Sequence, residues 1–293
     1  MTTLQALADR VTQGEALRDD DAALLVASHD LITIGMMADA VRRGLHGLET
    51  TFVRVLEVHV DAVPATLPSG VSAGEIRLVG RPSSIEAACG AVERTRNLDP
   101  EVALTGFSLA DLDEMERSVP GALSRLKDAG LEMVAEVPVD HAGEAAVRVA
   151  RAAGLRVERL TVRAQPTDPA AVVRAARELQ AAVGGFRTFA PLPRSWAAAT
   201  PATGYDDVKL VALARLLLQN IVTSIQVDWP LYGPKLAQVA LTMGADDVDG
   251  IAAVESGTLG TRRSAIEEIR SNIRAAGLQA VERTGRFEVR AAR

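Results

Sequence analysis

From Thr51 onward the chain alternates repeatedly between a short strand-like segment and a longer helical one. Strands are read at 51–60, 74–80, 102–108, 132–139, 156–163, 186–193, 224–229 and 246–252. The first, TFVRVLEVHV, alternates with period two, the mark of a strand with two unlike faces. Helical periodicity follows from the second strand on, at 85–96, 109–128 (broken at Pro120), 143–153, 169–182, 205–219, 234–242 and 262–276. Eight such units with no topological break predict an α/β fold of the (β/α)8 barrel type over a doubly wound open sheet.

The first unit is the exception. DAVPATLPSGVSAG (61–74) is rich in Pro, Ser and Gly and has no helical period, so the first crossover is expected to be a loop. About a dozen residues is near the minimum for a parallel crossover, and the two strands can still pair. Residues 1–50 read as helices, with Leu4, Leu7 and Val11 at helical spacing and acidic Asp19, Asp20 and Asp21 opening a second segment. A third, 31–45, ends in Arg42, Arg43 and Gly44. With no linker or repeat, the expectation is one domain: a helical extension (1–50) leading into the barrel (51–293). The tail QAVERTGRFEVR (279–290) predicts a short hairpin or an edge strand.

A net charge of −6 is spread along the helices without a basic block, which argues against nucleic acid as the partner. The single cysteine, Cys89, rules out an internal disulfide and fits a reducing compartment. The acidic start lacks a signal-peptide pattern, and no apolar run approaches the roughly 18 residues of a bilayer span. A cytoplasmic protein without a membrane partner is expected.

In a barrel of this type, functional groups gather at the C-terminal strand ends. The reading places there His59 and Asp61, Arg81, Ser108, Asp140 and His141, Arg163 and Gln165, Arg194, Gln226 and Asp228, and Asp246, Asp247 and Asp249. Arg81, Arg163 and Arg194 suit bidentate capture of a carboxylate or phosphate, or are solvated surface. His59, Asp61, Asp140 and His141 are of metal-ligating type but lack a recognised spacing, so no metal is assigned. GADDVDG (244–250) reads as turn chemistry over ligand binding. Trp229 and Tyr232 line a pocket or pack.

TSIQVDWPLYGPKLAQVALTMGADDVDGIAAVES (223–256) resembles the closing segment of radical-SAM aminofutalosine synthase, and is similar to dehypoxanthine futalosine cyclase and the deazaflavin-cofactor synthases. The resemblance extends through residues 15–47, RLVG (77–80), RELQAAVGGFRTFAPLP (177–193) and TGYDDVKLVALARLLLQNI (203–221), with Glu255 where the family carries an acid. The family implies a barrel, a route to menaquinone through futalosine, and an iron–sulfur cluster on a C-x3-C-x2-C loop after the first strand. No such loop exists here, and Cys89 lies in the next helix, where its bland reading is a small buried apolar residue. GRPSS, AQPTDP and RSWAAATP also replace the family's glycine- and histidine-bearing turns.

The expectation is therefore a homologue without radical chemistry, with neither cluster nor SAM. It would bind a small carboxylated or nucleoside ligand at the mouth through His59, Arg81, Asp140, His141, Arg163, Arg194, Gln226, Asp228, Asp246, Asp247, Asp249 and Glu255. Self-association or pairing with an active paralogue is the expected assembly. Two alternatives stand beside it: a cluster-independent enzyme, and a structural subunit whose mouth is filled by side chains.

Overall fold

A computed structural model describes residues 3–15, 17–195, 203–254 and 265–290. Eight parallel strands close on themselves: β1 (Glu49–His59), β2 (Glu75–Val79), β3 (Ala103–Ser108), β4 (Met133–Pro138), β5 (Arg159–Ala164), β6 (Thr188–Ser195), β7 (Ser224–Asp228) and β8 (Asp247–Ala252). Each pairs with its successor, and β1 pairs with both β2 and β8, so the sheet has no break in the ring. The (β/α)8 barrel expected from the alternation is the architecture observed.

The extension comprises α1 (Leu4–Thr12), α2 (Asp19–Ala27) and α3 (Leu31–His46). Asp30 caps α3 by accepting from the Thr33 amide at 3.0 Å, and Gly47 ends it with φ 60. These helices share the barrel's core through Leu7, Leu25 and Ile34. Lys209 ties them further by donating to the carbonyls of Val26 and Ser28 at 2.6 and 2.7 Å.

Around the barrel run α4 (Ile85–Arg96), α5 (Leu109–Ser118), α6 (Ala122–Asp128), α7 (Glu144–Ala152), α8 (Pro169–Val183), α9 (Gly204–Leu218), α10 (Trp229–Thr242) and α11 (Ala265–Ala275). Helix α5 stops before Pro120 and α6 restarts after Gly121 at φ 86, the expected break. Helix α10 begins at Trp229, five residues before the expected start, because Asp228 caps a first turn that Gly233 (φ 74) then kinks. No helix lies between β1 and β2; residues 60–74 cross as a loop. No described helix is long and apolar enough to cross a membrane.

The tail supplies both an added strand and a hairpin. Strand β9 (Gln279–Arg283) is a parallel partner of the lower half of β1, with Glu49 opposite Gln279 and Val53 opposite Arg283. Strand β2 pairs only with the upper half of β1, from Val55 to His59. The tail thus completes the wall where β2 has not yet begun. It then folds back as the expected hairpin, with Thr284 donating to the Glu288 carbonyl at 2.8 Å.

Barrels of this type usually fill their interior with Val, Ile and Leu. Here the interior is ionic, as side chains bridging non-adjacent strands show. Arg159 on β5 reaches Glu75 on β2 at 3.2 Å and Asp249 on β8 at 3.6 Å. Arg77 on β2 makes a two-pronged bond to Asp249 at 2.9 and 2.8 Å. All four are 7% exposed or less. Burial acts upward on the Glu75 carboxyl, but Arg77 and Arg159 outweigh it and hold it at about 2. Asp249 is held well below its ordinary value by Arg159 and Arg77 against the same burial.

Candidate functional site

Above this ionic floor, at the C-terminal strand ends, lies a chamber of about 320 Å³ lined by Glu57, Arg77, Phe107, Ser108, Glu136 and Arg194 among others. It adjoins a cleft of about 470 Å³ between α4 and α5, whose walls include Ile85, Leu112, Met115 and Val119. Gly80, Arg81, Phe107 and Asp111 border both spaces.

Local backbone chemistry opens the mouth. Gly80 ends β2 at φ +95, and a Cβ there would meet His59 Nε2 at 2.6 Å. Strand β3 passes into α5 with no linking residue: Phe107 adopts φ 61, and Ser108 is both the last strand residue and the helix cap. A left-handed non-glycine residue costs about 1–3 kcal/mol and concentrates at functional sites. The Ser108 Oγ, 7% exposed, lines the chamber with no hydrogen-bond partner among the described residues.

Each arginine of the mouth already faces an acid, although the buried Nε of Arg194 has no hydrogen-bond partner among the described residues. Arg194 donates to Asp228 Oδ2 at 2.6 Å and lies 3.4 Å from Glu136. Arg81 pairs with Glu114 at 2.8 Å, and Arg163 stands 3.7 Å from Asp111. Among the described residues, Glu57 has no cation within ion-pair range.

The expected site residues divide into three groups. Arg81, Ser108 and Arg194 border the chamber, with Asp228 behind Arg194 and capping α10 through the Leu231 amide at 2.9 Å. His59, Asp61, Asp140, His141 and Arg163 lie on the rim. His59 and Asp61 form an exposed pair at 3.7 Å. Asp140 accepts from the amides of Arg163 and Ala164 at 2.9 and 3.0 Å, with His141 Nδ1 at 3.2 Å. Burial acts upward on Asp140, and those two amides bring it below its ordinary value. Gln165 has a buried Oε1 without a partner, Tyr232 donates to the Pro193 carbonyl at 2.6 Å, and Trp229 packs on the core.

The third group is not at the mouth. Asp246 precedes β8 and Asp247 opens it, at the opposite end of the barrel, which corrects their expected placement. Asp246 accepts from Arg215 and from the Ile225 amide at 2.7 Å. Asp247 takes both prongs of Arg283 at 2.6 Å, with Gln226 at 2.5 Å and Thr51 at 2.5 Å. Asp249 holds Arg77. Gly244 (φ +108) and Gly250 (φ +78) make room for Arg215 and Pro230, whose atoms would stand 2.8 and 2.7 Å from an added Cβ. The GADDVDG segment is thus a set of acceptors spaced along β8 for arginines arriving from α9, β9 and β2. Glu255 lies outside the described residues.

Sequence reasoning missed Glu57, Phe107, Asp111 and Glu136. Glu57 was legible: it sits two residues before His59 on the same phase of an alternating strand. The left-handed turn of Phe107 leaves no mark in the sequence.

A three-cysteine cluster does not fit these residues. The only thiol, Cys89, is half-buried in α4, where burial pushes its pKa up, away from the thiolate a metal needs. The crossover 60–74 contains no cysteine. No group of three metal-ligating side chains occurs among the described residues.

Residues 191–293 match the CofH/MqnC C-terminal region family. Aminodeoxyfutalosine synthase of Streptomyces coelicolor is 31% identical over 235 residues, covering 65% of this chain and 60% of that enzyme. The 5-amino-6-(D-ribitylamino)uracil–L-tyrosine 4-hydroxyphenyl transferase of Methanocaldococcus jannaschii is 34% identical over 131 residues, 39% of this chain and 35% of that protein. The chain therefore matches less than two thirds of the length of either relative. Two solved structures share the fold at low identity. The FeFe-hydrogenase maturase HydG of Carboxydothermus hydrogenoformans has a TM-score of 0.66 at 13% identity, covering 95% of this chain and 79% of HydG. Methylornithine synthase (PylB) has a TM-score of 0.63 at 14% identity, covering 94% and 97%. The C-terminal region and the barrel agree: over residues 191–293 the chain matches the CofH/MqnC C-terminal region, and it is similar to aminodeoxyfutalosine synthase while carrying no three-cysteine loop.

Proposed function

We propose that this chain is a small-molecule-binding member of its family that works without cluster-borne radical chemistry. The observation that carries the reading is the pairing of an open, polar chamber at the strand ends with a first crossover that has neither cysteine nor helix. A purely structural subunit would be expected to fill its mouth with side chains, and the chamber of about 320 Å³ weighs against that. One relative is named as an aminodeoxyfutalosine synthase and another as a transferase acting between a ribitylaminouracil and tyrosine, which supports a nucleoside-like or aromatic ligand.

The test is a thermal-shift screen of nucleosides, aromatic carboxylates and amines on the protein and on Ala135→Phe, which narrows the chamber from its wall. A ligand at about 100 times its dissociation constant adds about 2.7 kcal/mol. For a domain this size that is a rise of roughly 5–10 °C. Shifts that vanish in Ala135→Phe support the reading, and no shift with any class sinks it. Anaerobic reconstitution with iron and sulfide is expected to give no stoichiometric cluster; a stable four-iron centre would overturn the proposal.

A further inference from the structure

The expectation from sequence was an anion site built on Arg81, Arg163 and Arg194. The described side chains around the mouth present the opposite demand. Arg194 is held between Asp228 and Glu136, Arg81 by Glu114, and Arg163 faces Asp111. Arg77, whose head reaches the chamber floor, spends both prongs on Asp249 and its Nε on Glu75 at 2.8 Å. An incoming carboxylate would have to displace a protein carboxylate from each of them. That exchange gains little at the exposed pairs of Arg81 and Arg163, and at Arg77 it leaves a displaced acid inside the buried network.

Glu57 is the complement. It stands on β1 opposite Arg77 on β2, an exposed side chain on the wall of the chamber with no ion pair or side-chain hydrogen bond among the described residues. The same chamber is lined by the Ser108 hydroxyl, buried and unpartnered among the described residues, which can accept a hydrogen bond or donate one. A strained Phe107 separates this polar pair from the cleft of Ile85, Leu112, Met115 and Val119. Charge, hydrogen bonding and shape therefore ask for one kind of molecule.

We propose that the mouth selects an organic cation: a primary amine or amidine seated on Glu57 in the chamber, with an apolar body extending past Phe107 into the cleft between α4 and α5. The inference rests on the proposed binding function and gives it a ligand class. An ammonium supplies three donors and a charge. Glu57 balances the charge, and the Ser108 Oγ accepts one further N–H hydrogen bond. The ring face of Phe107 adds cation–π attraction when the charge lies over it. An uncharged or anionic analogue of the same body loses the Glu57 contact.

The experiment compares two probes of matched body, 4-phenylbutylamine and 5-phenylpentanoate, by calorimetric titration at pH 7.5 against the full chain, Glu57→Gln, and Leu112→Trp, which narrows the cleft. The amine is expected to bind saturably and the carboxylate at least tenfold more weakly. Glu57→Gln should lower amine affinity about tenfold or more, since it removes the charge from a charge-assisted hydrogen bond. Leu112→Trp should weaken the amine and leave ethylamine unaffected. The unliganded melting temperature of each variant reports on its folding. Preference for the carboxylate, equal amine binding by Glu57→Gln, or binding of neither probe overturns the proposal. If neither probe binds while another compound gives a shift that Ala135→Phe abolishes, the cation inference fails and the binding function stands. If nothing shifts at all, both fail.

Discussion

Asp249 offers the sharpest test of the ionic interior. It is fully buried, accepts two bonds from Arg77 at 2.9 and 2.8 Å, and has Arg159 at 3.6 Å. With Glu75 it forms a local set of two carboxylates facing two guanidiniums. Asp249→Asn keeps the shape and leaves one guanidinium uncompensated in a largely buried site. Breaking one side of a buried pair costs about 3–5 kcal/mol. Removing both charges, as in Arg77→Met with Asp249→Asn, leaves Arg159 and Glu75 matched at 3.2 Å and is expected to recover all but about 1–2 kcal/mol of that loss. The assay is urea unfolding of the wild type, both single variants and the double variant. The m-value is expected to stay constant, so that the midpoint reports stability alone. The cycle should yield a coupling of at least about 2 kcal/mol, near the upper end for contacting residues. A loss below about 1 kcal/mol in Asp249→Asn, or a double variant no more stable than the worse single one, would refute the claim that charge balance holds this core.

Three further outcomes follow from particular residues. Asp207 in the first turns of α9 is 9% exposed, and burial raises its pKa from 3.8 to about 6, with Asp206 adding to the effect. A raised carboxyl favours folding below pH 3.8 and loses that contribution as pH rises through 6, so Asp207→Asn should stabilise the protein by about 1–3 kcal/mol at pH 8 and scarcely at pH 4. Glu75, lowered from 4.5 to about 2, works in the other direction: its contribution is complete above pH 4.5 and disappears as pH falls through 2, so Glu75→Gln should flatten the stability profile across that window. Gly250→Ala should cost about 2 kcal/mol or more by differential unfolding, because a left-handed φ of +78 coincides with a Pro230 ring atom 2.7 Å from the new Cβ.

The eight strands were legible because each is a short segment without helical period set between helical stretches, and neither signal depends on distant partners. Tertiary effects moved what the local pattern could not. Strand β9 reads as a hairpin or edge strand, since nothing in QAVER announces that the lower half of β1 lacks a neighbour on that side. Helix α10 starts early because Asp228 is free to cap it once Arg194 binds its other oxygen. At the site, residue types were visible but occupancy was not. The mouth arginines are evident in the sequence, whereas the carboxylates that neutralise them come from other units of the barrel. Asp246 and Asp247 were assigned to the mouth by proximity to a strand, and the strand's direction places them at the other end.

The parallel seating of β9 on β1 also bears on how the barrel is made. Every other lateral contact in the ring joins neighbouring units, except the closure of β8 on β1. Glu49 waits for Gln279, so β1, made before the other strands of the barrel, is among the last to be fully paired. Until then its lower edge is an open template of amide and carbonyl groups, and the acids of β8 stand without Arg283. Closing so long a loop adds little entropy per residue but comes late, which places this wall in the slow, high-contact-order part of folding. Refolding followed at Arg283 and at a mid-barrel position such as Arg159 should therefore separate into two phases, with the seam between β1 and β9 completing last.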